Sequence, residues 1–363
     1  MEGLVNPSPA FWRGKRVLVT GHTGFKGSWL CHWLLRLGAS VTGLALAPDT
    51  EPSLFEQSRL GERLDSHLAD VRDLAATRRA VADARPEIIL HLAAQSLVRR
   101  SYADPVGTFA TNVMGTAHIL EAARTLDGLR AIVSVTSDKC YLAHADGAPH
   151  RETDPLGGAE PYSSSKACAE LVTGAYRQAF LGTAPTAVAL ASARAGNVIG
   201  GGDWAADRLV PDCVRAFTQG RPVALRNPDA IRPWQHVLEP LAGYLVLAER
   251  LWRDAQSAEA WNFGPDDRDA RSVSAVVERV ARAWGTQAGW TAQAGEHPHE
   301  TAVLRLDSAK ARARLGWRPR LTLDQALDWT VDWYRRNGAG EPAQHLVDAQ
   351  IAAYEAGPGS LPA

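Results

Sequence analysis

In this chain of 363 residues, Tyr162 and Lys166 follow the triplet Ser137-Asp138-Lys139. The Tyr-x-x-x-Lys spacing is one helical turn, so the phenol and the ammonium share a helix face. A cation placed there can hold a phenolate below the ordinary tyrosine pKa of about 10. Such a tyrosine can take a proton from a sugar or alcohol hydroxyl. Ser137 closes an apolar run and can hydrogen-bond the same hydroxyl, while Asp138 and Lys139 add an acid and a base. Near the start stands Thr20-Gly21-His22-Thr23-Gly24-Phe25-Lys26-Gly27. Its glycines let the backbone approach a pyrophosphate, and the helix that follows offers free N–H groups and a favourable dipole. Together these segments describe a nicotinamide-dependent, hydroxyl-oxidising site.

The elements that must position these residues read as alternating strands and helices. Arg16-Val17-Leu18-Val19-Thr20 is a β-branched apolar run feeding into the glycines, and residues 28–37 read as a helix closed by Gly38. Further strands are expected at 40–46, 88–92, 131–135 and 187–190, with the longest helices at 112–124 and 163–180 and serines capping the latter. Near-continuous apolar strands between helices predict an α/β fold, a Rossmann-type doubly wound parallel sheet covered on both faces. After about residue 190, Gly-, Pro- and Arg-rich loops predict a smaller substrate-binding subdomain. The expected division is a dinucleotide-binding unit over 11–190 with a return near 229–265, a substrate unit over 191–228 and 266–340, and a short helix and loose tail over 341–363.

Composition narrows the function classes. Lys+Arg 39 against Asp+Glu 40 leaves a formal charge of -1, without the basic footprint of a nucleic-acid binder. No stretch reaches the roughly 18 apolar residues of a membrane span, and the first twelve residues lack a signal pattern. The expectation is a cytoplasmic chain with neither nucleic-acid nor membrane partners. Cys31, Cys140, Cys168 and Cys213 form no Cys-x-x-Cys pair and have no partnering His spacing, so neither a disulfide framework nor a metal site is expected. Arginine carries most of the positive charge; the lysines are only Lys15, Lys26, Lys139, Lys166 and Lys310, and Lys26, Lys139 and Lys166 fall inside the motifs.

With these motifs on the page, the chain resembles the extended short-chain dehydrogenase/reductases, and within them the nucleotide-sugar 4,6-dehydratases. The flanking segments His91-Leu92-Ala93-Ala94-Gln95, Arg194-Ala195-Gly196-Asn197-Val198-Ile199-Gly200-Gly201-Gly202-Asp203-Trp204 and Arg232-Pro233-Trp234 carry the same resemblance over nearly the whole length. Members commonly place Asp-Glu after the serine; the Asp138-Lys139 version is similar to the branch acting on CDP-glucose. The resemblance implies NAD as cofactor and a nucleotide sugar as substrate. Tyr162 would take the C4 hydroxyl proton, with Ser137 and Lys166 assisting, and protonated Asp138 would release the C6 hydroxyl as water. Lys139 would be the C5 base or an ammonium that stabilises the enolate; at its reference pKa of about 10.4 a lysine is almost wholly protonated at neutral pH.

Cofactor contacts are expected from Gly21, His22, Thr23, Gly24, Phe25, Gly27, Asp70, Val71, Ala93, Tyr162 and Lys166. Substrate contacts are expected from Gln95, Asn197, Arg208 and Arg232, since arginine forks suit phosphate oxygens. The second strand ends without an acid for a ribose or an arginine for a 2′-phosphate, which leaves NAD against NADP open at that position. Asp70 is a candidate for adenine contact or for capping a helix. Asn112 either supports Lys166 through water or starts its helix, and His91 and His236 are expected to be structural. The apolar faces of the two long helices could make a dimer interface or simply pack on the sheet; the resemblance implies a homodimer or dimer of dimers. A sugar-nucleotide epimerase on the same fold is the nearest rival, disfavoured by Asp138-Lys139; a non-catalytic NAD sensor would have no use for Ser137, Tyr162 and Lys166 together.

Overall fold

The computed structural model describes residues 5–182, 188–293, 295 and 301–357. The first residue of the strand expected at 187–190, the first four residues of the chain and the end of the expected tail lie outside the described residues. Seven strands form the central sheet: β1 (Arg16–Thr20), β2 (Ser40–Ala45), β3 (Asp65–Leu68), β4 (Ile88–His91), β5 (Ala131–Val135), β6 (Ala189–Ala195) and β7 (Ala260–Phe263). Their spatial order is β7-β6-β5-β4-β1-β2-β3, and every pairing is parallel. The order reverses between β1 and β4, the switch point where such sheets open a crevice at their carboxyl ends.

Alternation along the strands explains why they read as unbroken apolar runs. Val17, Val19, Ile88, Leu90 and Val133 enter one core, while Leu18, Ile89 and Ile132 enter a second core on the opposite face. With both faces buried, no position is left for a solvated side chain. β3 escaped the sequence pattern because Asp-Ser-His-Leu is a short, partly exposed edge strand with no apolar run.

Helix starts differ from the sequence expectation in ways that matter for the site. α1 (Phe25–Arg36) begins three residues earlier than expected, with Gly24 as its N-cap and no side-chain cap. Ser28, the first residue of the expected helix, lies within its first turn and donates its hydroxyl to the His22 carbonyl at 3.1 Å. α2 (Leu74–Ala84) is capped by Asp73, so Asp70 does not cap it. Helical structure before α3 (Gly115–Ala123) starts at Pro105 under an Asp104 cap and passes through a π turn at Ala110–Met114. Asn112 therefore lies inside a helical run rather than at its start. α4 (Pro161–Tyr176) is capped by Glu160, not by serine: the Glu160 carboxylate accepts the N–H groups of Tyr162 at 2.7 Å and Ser163 at 2.9 Å.

In the C-terminal part, α5 (Leu238–Arg253) is buried along most of its length and packs on β5 and β6. Three small strand pairs accompany it: Val198–Ile199 with Gln235–His236, Ile231–Pro233 with Ala270–Ser272, and Val223–Leu225 with Trp290–Ala292. The described part of the chain end is not loose. α6 (Ala343–Ala356) packs on α1, where Trp33 Nε1 and Arg36 Nε donate to the Glu355 carboxylate at 2.9 and 3.0 Å. Among the described residues no helix is long and apolar enough to cross a membrane.

Candidate active site

Above the switch point lies one cavity of about 680 Å³. Every candidate site residue lines it except His22. The His22 ring turns away and packs where β2 has a glycine: a Cβ on Gly43 would lie 2.3 Å from the imidazole. Its Nε2 pairs with Ser66 Oγ at 2.7 Å, and burial pulls its pKa down to about 4, so it is a neutral spacer between β1 and β2. The sequence motif placed His22 among the cofactor contacts because a motif shows position along the turn, not side-chain direction.

The glycine turn itself is a cradle with fixed walls. Gly21 adopts φ +76°, and a Cβ there would come within 2.9 Å of Ala93 N. A Cβ on Gly27 would sit 2.0 Å from the Gly21 carbonyl oxygen, so only glycine lets α1 come this close to the turn. A Cβ on Gly24 would meet nothing nearer than the Gly21 oxygen at 3.5 Å. With no side chain capping α1, its first-turn N–H groups remain available to an anion. Thr20 Oγ1 ties the far wall, accepting from Leu92 N at 3.1 Å and Ala93 N at 3.0 Å. Asp70 and Val71 line the wall beyond β3, Asp70 held by Arg72 Nε at 2.8 Å.

Ser137, Asp138, Tyr162 and Lys166 converge at the ends of β5 and α4, each 8% exposed or less. Ser137 Oγ donates to Asp138 Oδ1 at 3.0 Å and accepts from Lys139 N at 3.2 Å. The other Asp138 oxygen, Oδ2, is buried without a hydrogen-bond partner and faces Gly196, where a Cβ would come within 2.9 Å of it. Burial pushes the Asp138 pKa up, against the opposing pull of Lys139, Ser137 and Arg232. Desolvation of this kind favours the protonated over the charged carboxyl.

Tyr162 departs from the expectation drawn from spacing. Burial pushes its pKa up to about 12, the Ser137 hydrogen bond pulls it down and Asp138 pushes it up. Lys166 is itself desolvated, its pKa pulled down to about 8, and its Nζ reaches the Val135 carbonyl at 3.5 Å. Spacing placed the cation on the right helix face but carries no information about the cost of burying a phenolate.

Lys26 is a residue the motif contained and the sequence reading left without a role. Its Nζ donates to Tyr244 OH at 2.9 Å, and burial together with Lys166 and Arg208 pulls its pKa down to about 7. The partner lies in α5, so no local pattern announced the pair. Arg208 spans Asp203 Oδ2 at 2.9 Å and Ser96 Oγ at 2.7 Å, while Asn197 lines the same wall. Arg232 is buried, and its charge acts on Asp138. Gln95 lines the cavity, but its amide is engaged locally: Nε2 donates to Thr108 Oγ1 at 2.9 Å and Oε1 accepts from Leu97 N at 2.6 Å. Asn112 clamps the same loop, bonding the Gln95 backbone N and O at 2.8 and 2.9 Å and Ser165 Oγ at 2.8 Å. His91 is structural, bridging Thr20 and Thr116 hydroxyls at 2.7 and 3.1 Å.

Beneath the Ser137 turn lies a buried ion pair that the sequence reading also missed. Arg194 Nη2 donates to Glu170 at 2.7 Å, Ser192 Oγ and Thr136 Oγ1 donate to the same carboxylate, and Arg194 Nη1 donates to Tyr141 OH at 2.7 Å. Arg194→Met should therefore destabilise the fold by about 3–5 kcal/mol, the usual consequence of leaving a buried charge uncompensated. A urea unfolding midpoint measured for both proteins checks this; an unchanged midpoint would show that Glu170 is neutral or solvated.

The GDP-mannose 4,6 dehydratase family model matches residues 18–330. The chain belongs to this family. It is 51% identical over 348 residues to the CDP-glucose 4,6-dehydratase of Salmonella typhimurium, covering 95% of this chain and 97% of the relative. Among solved structures, the UDP-glucose 4-epimerase of Thermus thermophilus, a complex with NAD, superposes with a TM-score of 0.76 at 28% identity, covering 88% of this chain and 98% of that one. The dTDP-glucose 4,6-dehydratase of Streptomyces venezuelae, with NAD and TYD bound, gives 0.75 at 26% identity over 90% of this chain and 99% of that one. Epimerases and dehydratases thus share this architecture, and the reaction is decided by side chains in the cleft.

Proposed function

We propose that the chain is an NAD-dependent CDP-glucose 4,6-dehydratase, converting CDP-glucose to CDP-4-keto-6-deoxyglucose and water. The observation that carries the reading is the buried Asp138 carboxyl beside Ser137 and Tyr162, with one oxygen unpartnered and its pKa pushed up by burial. A hydroxyl-oxidising site alone needs no such acid; elimination of a hydroxyl does. The CDP-sugar assignment is supported by the 51% identity to the Salmonella typhimurium enzyme.

The glycine cradle fits a dinucleotide: fixed positive φ at Gly21, a closed wall behind Gly27 and an uncapped helix start. Gly21, Thr23, Gly24, Phe25 and Gly27 would hold the diphosphate of NAD, Asp70, Val71 and Ala93 its adenosine side, and Tyr162 and Lys166 its reactive end. Bound NAD supplies reversible hydride acceptance and a positively charged ring. Tyr162 takes the proton of the sugar C4 hydroxyl, Ser137 hydrogen-bonds that oxygen, and Lys166 stabilises its negative charge. Once C4 is a ketone the C5 proton is acidic. Lys139 lines the same wall as base or as enolate-stabilising ammonium, and Asp138 passes its proton to the C6 hydroxyl, which leaves as water. Asn197, Arg208 and Arg232 face the nucleotide diphosphate, with Gln95 shaping the loop beside them.

Gly27→Ala should weaken NAD binding at least about tenfold, equivalent to 1.4 kcal/mol, because the Gly21 carbonyl must move to admit the methyl group. Titration of NAD followed by protein fluorescence measures it; unchanged affinity would place the dinucleotide elsewhere. The substrate assignment is tested by kcat/KM for CDP-, dTDP-, UDP- and GDP-glucose, with CDP-glucose expected to be preferred.

The small strand pairs and their loops constitute the substrate-holding unit in this reading. Val106, Met114 and Leu171, on the helical run that includes α3 and on α4, are 78, 50 and 61% exposed. These faces support assembly as a homodimer or dimer of dimers, which sedimentation equilibrium measures.

A further inference from the structure

Outside the cleft, the loop between the catalytic turn and α4 brings together His144, His150 and Asp154. One ligand-type atom from each lies within 4.8 Å of the others. His144 Nε2 and His150 Nδ1 stand 3.2 and 3.6 Å from the same oxygen, Asp154 Oδ2. Bonds of about 2.1 Å to a tetrahedral ion put its ligands about 3.4 Å apart, so these two separations need little adjustment.

Protonation and support point the same way. His144 Nδ1 lies 3.2 Å from the Ala148 carbonyl, which can only accept, so that nitrogen carries an N–H and Nε2 is the nitrogen turned toward Asp154. A ring N–H given to a backbone carbonyl is the usual orienting contact of a metal-bound histidine. His150 is 2% exposed, and its Nδ1 is buried with no hydrogen-bond partner. The ring is fixed by stacking on Tyr141, 4.7 Å between centroids and 2° from parallel. Asp154 Oδ2 is oriented by the Arg151 N–H at 2.8 Å. Two imidazole nitrogens and a carboxylate oxygen thus face one another, a donor set for a divalent cation of the zinc class.

We propose that His144, His150 and Asp154 form a divalent-cation site that fastens the loop between the Ser137 turn and Tyr162. The expectation of no metal rested on the cysteines, and this site uses none. Its place is structural: Asn262 on β7 donates to the His150 carbonyl at 2.9 Å, and Tyr141 reaches Arg194 under the active site. A cation here ties that network to the loop leading into α4.

Chelator-treated full-length protein titrated with Zn²⁺ against a chromophoric competitor should bind one ion per chain. Co²⁺ should give the visible absorption of a tetrahedral site. Saturating Zn²⁺ should raise the thermal midpoint by about 2–4 °C or more, since it binds only the folded chain. His144→Ala and Asp154→Asn should abolish all three signals. His144 is 29% exposed, so its truncation leaves the fold intact. His67→Ala, removing a half-buried histidine that pairs with Asp65, should retain them. Absence of stoichiometric binding in the wild type overturns the proposal, as does binding that survives both His144→Ala and Asp154→Asn.

Discussion

Asp138→Asn should lose water elimination by about 100- to 10,000-fold, the contribution of one positioned acid, while retaining exchange of the sugar C5 proton with solvent. Asparagine keeps an oxygen to accept from Ser137 and fits beside Gly196, but it has no carboxyl proton to give. Product formation followed by mass spectrometry and C5 exchange followed by NMR in deuterium oxide separate the two steps. If both disappear together, Asp138 acts before elimination and its role as acid is wrong. Stability should move in the opposite direction to activity. Burial raises the Asp138 pKa, so between the ordinary carboxyl range near pH 4 and its raised value the folded chain holds a proton that the unfolded chain has released. Stability contributed by this group therefore falls as pH rises through that window. The asparagine variant has no such loss, and its thermal midpoint at pH 8 should equal or exceed that of the wild type.

Tyr162→Phe should reduce turnover by about 1,000- to 10,000-fold, the upper part of the acid–base range, and unlike Asp138→Asn it should abolish C5 exchange as well. Without C4 oxidation the C5 proton is never acidic, so loss of the phenol removes every later step. The fold should survive: one hydroxyl beside Ser137 is lost, a change of about 1 kcal/mol. Retention of C5 exchange would transfer the base role to another group, with Lys166 the nearest candidate. In the isolated chain Tyr162 holds its proton at neutral pH, its pKa pushed up to about 12 by burial. The base role therefore depends on positive charge gathered at the site, and the rate should rise with pH across the range where Tyr162 begins to ionise.

The sheet and the convergence of Ser137, Asp138, Tyr162 and Lys166 were legible because they are written in local patterns. Buried strands need apolar residues at consecutive positions, a glycine turn needs glycines, and Tyr162 with Lys166 needs only one helical turn. What escaped depends on partners distant in sequence or on side-chain direction. The Glu160 cap replaces the serines that local preference favours, because its carboxylate reaches two backbone N–H groups at once. Lys26 meets Tyr244 and Glu170 meets Arg194 only after the chain has folded. His22 faces away from the cleft because Gly43, on the neighbouring strand, leaves room for its ring. The unpartnered Asp138 Oδ2, on which the proposed elimination chemistry rests, depends on the close approach of Gly196, distant in sequence. No spacing rule reveals an absent hydrogen bond.

The most direct measurement is to incubate the purified protein with CDP-glucose and NAD and weigh the sugar nucleotide by mass spectrometry. A product lighter by one water, absent with Asp138→Asn, is the predicted result; an isomer of unchanged mass, formed equally by both proteins, would contradict dehydration and make the chain an epimerase.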